Sequence, residues 1–190
     1  MSEAHDLDRR SQRTRKAIFE AFTRLLFTRR YSAIRTTDLI EAAGVGRSTF
    51  YEHFRNKDDV MVWAIDPIFE PLAEAGAGRA SLPHLHFVLD HLWERRALAR
   101  VMFEPPLGPK LQRKLAAMIE ARLETAVGDA APPALRATAT AASQLAMLRL
   151  WLSGEVACEP AILAHEIIHS SPPGLSRRPI DADLPAGLAV

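Results

Sequence analysis

The most informative part of the sequence is RTTDLIEAAGVGRSTFYEHFRNK, residues 35–57. Its first part, RTTDLIEAA, predicts a short helix in which Thr36 or Thr37 can accept hydrogen bonds from first-turn amides. Asp38 is favourable there against the helix dipole. Gly44 ends the helix, because glycine takes the left-handed conformation of a helix end without steric cost. A second short helix, RSTFYEHF, follows, and two such helices joined by AGVG form a helix-turn-helix pattern.

The small apolar residues of this stretch explain how the two helices pack. Ala43 and Gly44 permit close approach in the turn, and Val45 closes the small core formed by Leu39, Ile40 and Phe50. The exposed face of the second helix then presents hydrogen-bond donors to base edges and phosphates.

Basic residues are concentrated around the same stretch. The 190-residue chain has 24 Lys and Arg against 23 Asp and Glu, and this net charge of +1 argues against a protein that binds polyanions over its whole surface. Residues 9–57 nevertheless hold twelve basic and four acidic residues, whereas residues 64–190 hold twelve and fourteen. This asymmetry predicts that the N-terminal part meets nucleic acid or another polyanion. A merely solvated basic face is the alternative.

Helical spacing recurs along the chain, and no stretch alternates long enough for a sheet, so we predict an all-α fold. An amphipathic helix from Ser11 to Arg29 precedes the quoted stretch, and another begins near Lys57, with a kink or break at Pro67 and Pro71. Residues 73–81 predict a flexible connection. Further apolar stripes lie at about 83–95, 97–103, 107–127, 133–153 and 160–169.

The predicted domains are an N-terminal arm at 1–10, a helix-turn-helix domain at 11–70 with its motif at about 35–54, a helical domain at 71–171 and an irregular or disordered tail at 172–190. Cys158 is the single cysteine, so no internal disulfide can form. The sequence has no signal-peptide pattern and no apolar run near the ~18 residues of a membrane span. We therefore expect a cytoplasmic protein without membrane contact.

The N-terminal part of the chain resembles the DNA-binding domain of the TetR family of bacterial transcriptional regulators. The resemblance covers about residues 12–65 and rests on the pattern A-G-V-x-x-x-T-x-Y-x-H-F-x-x-K, complete from Ala43 to Lys57. It implies a three-helix helix-turn-helix domain followed by a helical domain for effector binding and dimerisation. The implied protein is a ligand-responsive regulator, with repression as the predicted sign, and neither an enzyme nor a cofactor binder. Beyond residue 75 only the helical plan and the segment QLAMLRLWLSGE are similar.

The resemblance also implies which side chains contact DNA. The second helix of the motif would lie in the major groove, where an arginine can offer a bidentate fork to guanine, and an N-terminal arginine arm would track phosphates. Two positions depart from the family: Arg35 stands where a small hydroxyl residue is usual, and Gly46 replaces a capping serine. The implied contacts are Arg35, Thr36, Thr37, Arg47, Ser48, Thr49, Tyr51, His53 and Lys57, with Arg9, Arg10, Arg13 and Arg15 in the arm.

The second domain, by the same resemblance, binds a small apolar or amphipathic effector and forms a homodimer on a near-palindromic operator. Its predicted interface residues are Leu145, Leu148, Leu152, Ile162 and Ile167. The predicted pocket residues are Phe87, Trp93, Met102, Phe103, Met118, Met147 and Trp151, with His84, His91 or Gln144 as polar anchors. The alternatives are that these are ordinary core residues, and that a protein partner rather than a small molecule controls the regulator.

One motif favours a different class of protein. His165-Glu166-Ile167-Ile168-His169 matches HExxH, in which two imidazoles one helical turn apart bind zinc and a glutamate acts as base. No residue downstream is a good third ligand, so a zinc metallohydrolase is the remote alternative and we predict no metal site. Cys158 is expected to be a small apolar residue in a loop.

Overall fold

Helices make up all the regular structure in residues 2–123 and 131–170, the residues that the structure, a computed structural model, describes. The all-α prediction is confirmed there, and the tail expected at 172–190 lies outside these residues. Two 3-10 turns, Tyr31–Ala33 and Arg100–Phe103, interrupt the series. The α-helices are α1 (Ser2–Thr28), α2 (Thr36–Ala43), α3 (Arg47–His53), α4 (Lys57–Ala64), α5 (Asp66–Gly76), α6 (Leu82–Glu94), α7 (Arg96–Ala99), α8 (Leu107–Glu120), α9 (Pro133–Ser153) and α10 (Pro160–Ser170).

The first three helices form a small unit, called here the head. Ile18 and Phe22 of α1 pack with Leu39 of α2 and Phe50 of α3, and all four side chains are fully buried. The Arg24 guanidinium donates to the carbonyl of Ala42 at 3.2 Å, which ties α1 to the end of α2. The helix-turn-helix is therefore held rigidly against α1.

The first helix is longer than its apolar stripe predicts. It begins at Ser2 rather than Ser11, so residues 2–10, which are predicted to lie in an N-terminal arm, are helical and continuous with the first predicted helix. The physical reason is that no proline or glycine interrupts residues 2–28. The arginines assigned to an arm, Arg9, Arg10, Arg13 and Arg15, lie on this helix.

The predicted break near Pro67 falls at Ile65, which ends α4 and precedes α5. Pro67 lies in the first turn of α5, where its missing amide hydrogen costs little. The helix then continues through Pro71, which is buried, and ends at Gly76. The connection predicted at 73–81 is therefore shorter, because the first four of those residues are helical.

Helices α5 to α10 form a second layered unit, called here the body. Leu107, Leu111, Leu115 and Ile119 recur at every fourth position of α8 and form a buried stripe that packs along α9. Arg122, just beyond α8, donates to Glu70 at 2.5 Å and to Glu74 at 2.8 Å on α5. The buried residues of head and body form one continuous cluster, so the two units share a core.

Candidate nucleic-acid interface

The start of α2 is capped by backbone and carboxylate rather than by a threonine. Arg35 is the N-cap residue, with extended backbone at φ −97° and ψ 156°. The Asp38 carboxylate accepts a hydrogen bond from the Arg35 amide at 2.9 Å. Thr36 and Thr37 therefore lie inside the first turn, and the predicted threonine cap is wrong. Thr37 is exposed and Thr36 is half-buried.

The turn between α2 and α3 has the predicted geometry. Gly44 follows α2 with φ 64° and ψ 29°, in the left-handed region that favours glycine. Gly46 is the N-cap of α3, with no side chain to cap it. The helix-turn-helix expected at residues 35–54 is present in the structure.

Helix α3 presents one polar face and one apolar face. Phe50 is fully buried, and Phe54, which follows the helix, is 5% exposed, so both belong to the core. Tyr51 is 51% exposed and contacts Phe50 edge-on with ring centroids 5.5 Å apart. Arg47, Ser48 and the acidic Glu52 are exposed along with Tyr51, whereas Thr49 and His53 are half-buried.

A polar surface results, called here the reading surface and made of Arg35, Thr37, Arg47, Ser48 and Tyr51. It brings the start of α2 and the exposed face of α3 into one small domain. Within the described part of the chain, neither of its arginines forms an ion pair. Two free guanidinium groups and three hydroxyls suit phosphate and base-edge contacts.

Lys57, for which a phosphate contact is predicted, is half-buried and has partners within the chain. Its ammonium donates to the carbonyls of Tyr31 at 2.5 Å and Ile34 at 2.8 Å, and lies 4.2 Å from the centre of the Tyr31 ring. Burial lowers the pKa of Lys57, against the opposing charge of Asp58. In this structure the side chain therefore holds the segment between α1 and α2.

Beside Lys57, a polar cluster joins head and body. Asp58 of α4 is 8% exposed, accepts the hydroxyl hydrogen of Tyr31, and forms an ion pair with Lys110 of α8 at 2.6 Å. Burial raises the pKa of Asp58, but the hydrogen bonds from Lys110 and Tyr31 outweigh it and hold the pKa below its ordinary value. Burial and the Asp58 hydrogen bond raise the pKa of Tyr31.

Sequence reasoning missed this cluster. Tyr31 and Lys110 are 27 and 52 residues from Asp58, and no spacing rule links residues so far apart. The cap of α4 was visible in principle: the Asn56 side chain accepts from the amides of Asp58 at 2.9 Å and Asp59 at 3.1 Å. Asparagine is among the favoured N-cap residues.

The structure does not bring the predicted pocket residues together. Phe87 is 69% exposed, and Trp93 stacks on Trp151 with ring centroids 4.8 Å apart as part of the core. Of the suggested anchors, Gln144 is fully buried and donates to the Leu72 carbonyl at 3.1 Å, and His84 is exposed. Phe103, Met118 and Met147 are partly buried against the core.

A cavity of about 120 Å³ lies instead between head and body, and is called here the junction cavity. Of the predicted pocket residues only Met102 lines it, together with the suggested anchor His91. Its walls come from α1, α4, α5, α6, α7 and the second 3-10 turn, including Phe19, Met61 and Leu98. Sequence reasoning missed the residues of α1, because helical spacing marks an apolar stripe without showing which elements it packs against.

Most of the predicted interface residues face inward. Leu145, Leu148, Leu152 and Ile167 are 7% exposed or less, because they pack within the body, whereas Ile162 is 52% exposed. Helical spacing identifies an apolar stripe on α9 but does not show whether this stripe faces the core of the body or a partner chain. The opposite face of α9 is more exposed, and carries the exposed Leu135, Ala139, Ala146 and Arg149 and the half-buried Ala142 and Leu150.

The HExxH motif lies on α10 with all three polar side chains exposed. The rings of His165 and His169 are 6.1 Å apart between centroids, and Nδ1 of His169 is 2.7 Å from the His165 carbonyl oxygen. In the described ranges no three histidine, cysteine or acidic side chains come together as a metal site. Cys158 is half-buried, and its carbonyl accepts a hydrogen bond from the Trp151 indole at 2.9 Å.

Residues 18–62 match the family model described as bacterial regulatory proteins, tetR family. The HTH-type transcriptional regulator EthR of Mycolicibacterium smegmatis is 39% identical over 54 residues, 28% of this chain and 25% of EthR. The dhaKLM operon transcriptional activator DhaS of Lactococcus lactis subsp. lactis is 32% identical over 59 residues, 31% of this chain and 32% of DhaS. The matches thus span about a third or less of these curated relatives.

Solved structures resemble the chain over more of its length. A TetR transcriptional regulator from Streptococcus agalactiae superposes with a TM-score of 0.54 and 25% identity, covering 88% of this chain and 98% of that one. A structure of the dihydroxyacetone kinase operon activator DhaS gives a TM-score of 0.50 at 20% identity over 83% of this chain and 93% of that one. The fold of head and body together is therefore that of TetR-type regulators. None of the described helices is long and apolar enough to cross a membrane.

Proposed function

Because the chain carries a DNA-binding domain of the TetR family in residues 18–62, we propose that it is a sequence-specific transcriptional regulator that binds DNA as a homodimer. The observation that supports this most directly is the reading surface. Its two unpaired arginines and its exposed hydroxyls lie on a helix-turn-helix whose apolar face is fully used in the core. Nucleic acid offers the phosphates and base edges that such a surface fits.

Charge supports the same proposal. Arg30, Arg35, Arg47 and Arg55 are exposed around the helix-turn-helix, and residues 9–57 hold twelve basic residues against four acidic ones. A basic patch confined to one end attracts DNA to that end and leaves the rest of the molecule free for other contacts.

The homodimer is inferred from the exposed face of α9. Leu135, Ala139, Ala142, Ala146 and the half-buried Leu150 form one apolar stripe along that helix, and the exposed Arg149 lies beside it. Small side chains let two helices approach closely, and the exposed Ile162 on α10 extends the apolar surface. A two-fold axis beside this stripe would give two reading surfaces and a near-palindromic operator.

Ligand control and the sign of regulation are further parts of the proposal. The junction cavity supports control by a small molecule over control by a protein partner, because it is concave and mostly apolar. Repression stays a prediction, since the similar DhaS is named an activator. A reporter gene placed behind the selected operator, with and without the protein, decides the sign.

The experiment that tests the proposal selects duplexes from a random DNA pool with the full chain and measures affinity against salt. We expect a near-palindromic site whose affinity falls steeply with salt concentration. Arg47→Ala should weaken binding by about 1–3 kcal/mol and relax the preference at one position of each half-site.

The matched control is Arg113→Ala, which removes an exposed arginine from α8 in the body. It should leave both affinity and base preference unchanged. If the pool yields no preferred sequence, or if Arg113→Ala weakens binding as much as Arg47→Ala, the proposed function is wrong.

A further inference from the structure

We propose that the junction cavity binds a small apolar carboxylic acid, with its hydrocarbon part inside the cavity and its carboxylate on Arg95. The cavity lies where the head meets the body. Phe19, Phe22, Thr23 and Leu26 of α1 line it from the head side, and α6 and α7 line it from the body side. No pattern in the sequence marks this site.

The size and the walls of the cavity define the hydrocarbon part. Its volume is about 120 Å³. An engineered apolar cavity of ~150 Å³ lined by leucine, isoleucine and phenylalanine binds benzene, so this cavity suits a single ring or a chain of similar bulk. The walls are mostly apolar with a few polar side chains, which is the usual lining of a small-molecule site.

Three polar side chains line the cavity: Thr23, His91 and Arg95. His91 and Arg95 are one helical turn apart at the end of α6, so they share a face, and Arg95 is exposed. Arg95 lines both the cavity and the neighbouring surface depression, which places it at the mouth. An acid whose ring enters the cavity would therefore leave its carboxylate beside this guanidinium.

Arg95 is also the arginine that remains available at this mouth. Arg100 donates to the Leu152 carbonyl at 2.7 Å, and Arg96 lies over the Trp93 ring at 5.0 Å. Within residues 2–123 and 131–170, Arg95 forms neither an ion pair nor a side-chain hydrogen bond. Glu94 is the acidic residue in the same depression, and a bound carboxylate must compete with it. A planar guanidinium matches a carboxylate with two parallel hydrogen bonds.

A ligand bound at the junction affects the reading surface indirectly, through the helices that hold the head. This part of the inference rests on the proposed function. A bound acid would contact α1 and α4 on one side and α6 and α7 on the other. Since α1 supports α2 and α3 through the shared core of the head, a ligand that changes the fit at the junction changes how the head is held.

Calorimetric titration of the full chain with benzoate, in the absence of DNA, tests the site directly. Benzamide, the neutral analogue of the same shape, is the ligand control. We expect one benzoate per chain, binding roughly tenfold or more tighter than benzamide, and a loss of about that factor in Arg95→Gln. Ala64→Leu, which fills the cavity from α4, should abolish binding, and Arg113→Gln on α8 should change nothing.

Two outcomes overturn the proposal: no benzoate binding at millimolar concentration, or equal binding of benzoate and benzamide by both the native chain and Arg95→Gln. Because Arg95 is exposed, Arg95→Gln tests the site even if Ala64→Leu fails to fold. DNA affinity measured with and without benzoate should change by the same factor as benzoate affinity changes with DNA. A chain that binds DNA but not benzoate refutes this inference and leaves the proposed function standing.

Discussion

Asp58 shows how one side chain can hold two units together. It lies at the start of α4, next to the Asn56 cap, and accepts hydrogen bonds from Tyr31 in the head and Lys110 in the body. Burying an unpaired carboxylate costs free energy. Here the hydrogen bonds from Tyr31 and Lys110 and the positive charge of Lys110 compensate for that cost. The low pKa of Asp58 follows from those donors.

We predict that Asp58→Asn lowers the free energy of unfolding by about 2 kcal/mol at neutral pH, because it removes a charged acceptor from Lys110 and Tyr31. The folded-state pKa of Asp58 lies below its ordinary value of about 3.9, so the native stabilisation is present above about pH 4 and is lost as pH falls further. Urea unfolding at several pH values between 2 and 7 measures both effects.

The control for this prediction is Asp90→Asn. Asp90 forms only an exposed pair with His86 at 3.5 Å on α6, so the substitution should change stability little. The difference in the free energy of unfolding between the native protein and Asp58→Asn should become smaller below pH 4. If this difference stays constant down to pH 2, Asp58 stabilises the fold by its packing and not by the charge of its carboxylate.

At the scale of the helices, α5, α8 and α9 meet at Gly76. A Cβ atom on this residue would lie 2.8 Å from Cδ1 of Ile119 on α8 and 3.2 Å from the Thr140 methyl on α9. The absence of a side chain therefore lets the end of α5 approach both helices. The ion pairs of Arg122 with Glu70 and Glu74 join the same two helices, α5 and the end of α8.

Gly76→Ala should consequently destabilise the protein by about 1–3 kcal/mol, because the added methyl forces Ile119 and its neighbours apart. Thermal unfolding followed by circular dichroism measures the shift. Gly108→Ala is the matched control, since a Cβ there would lie 3.7 Å from the nearest atom, a normal contact. Equal melting temperatures for Gly76→Ala and the native chain would refute the close packing.

For the whole molecule, the exposed stripe on α9 is the feature that bears on assembly. The body uses the other face of this helix for its own core, through residues such as Leu148 and Trp151. The outer face offers three alanines between Leu135 and the half-buried Leu150, with the exposed Arg149 beside them. An exposed apolar stripe of this kind is typical of a helix that packs against a partner.

We expect Ala146→Arg to convert the proposed homodimer to a monomer without unfolding it, because Ala146 is exposed in the single chain and would lie at the proposed interface. Analytical ultracentrifugation gives the mass, and circular dichroism checks the fold. Affinity for the near-palindromic site should fall with the loss of the second reading surface. Ala117→Arg on the exposed face of α8 is the control, and a dimer that survives Ala146→Arg would place the interface elsewhere.

The helix-turn-helix could be read from the sequence because its determinants are local. The end of α2 at Gly44, the start of α3 at Gly46 and the burial of Phe50 all depend on residues within about 20 positions of one another. Backbone preference and helical spacing act over that range, so a short motif was enough to place the reading surface.

Contacts between distant parts of the chain were not predictable in the same way. Periodicity located the stripe of Leu145, Leu148 and Leu152 but could not show that it faces the core of the body. Composition could not show that Lys57 turns toward the Tyr31 and Ile34 carbonyls. A side chain's direction depends on which elements lie beside it, and those elements come from far along the chain.

The sequence by itself determined an all-α chain with a basic helix-turn-helix at one end, because those features depend on local spacing and charge. Only the tertiary structure decided that Asp58 joins Tyr31 to Lys110, that α9 turns its alanines outward, and that a cavity opens between α1 and α6. Each of these requires side chains separated by dozens of residues to meet, and such meetings are a property of packing.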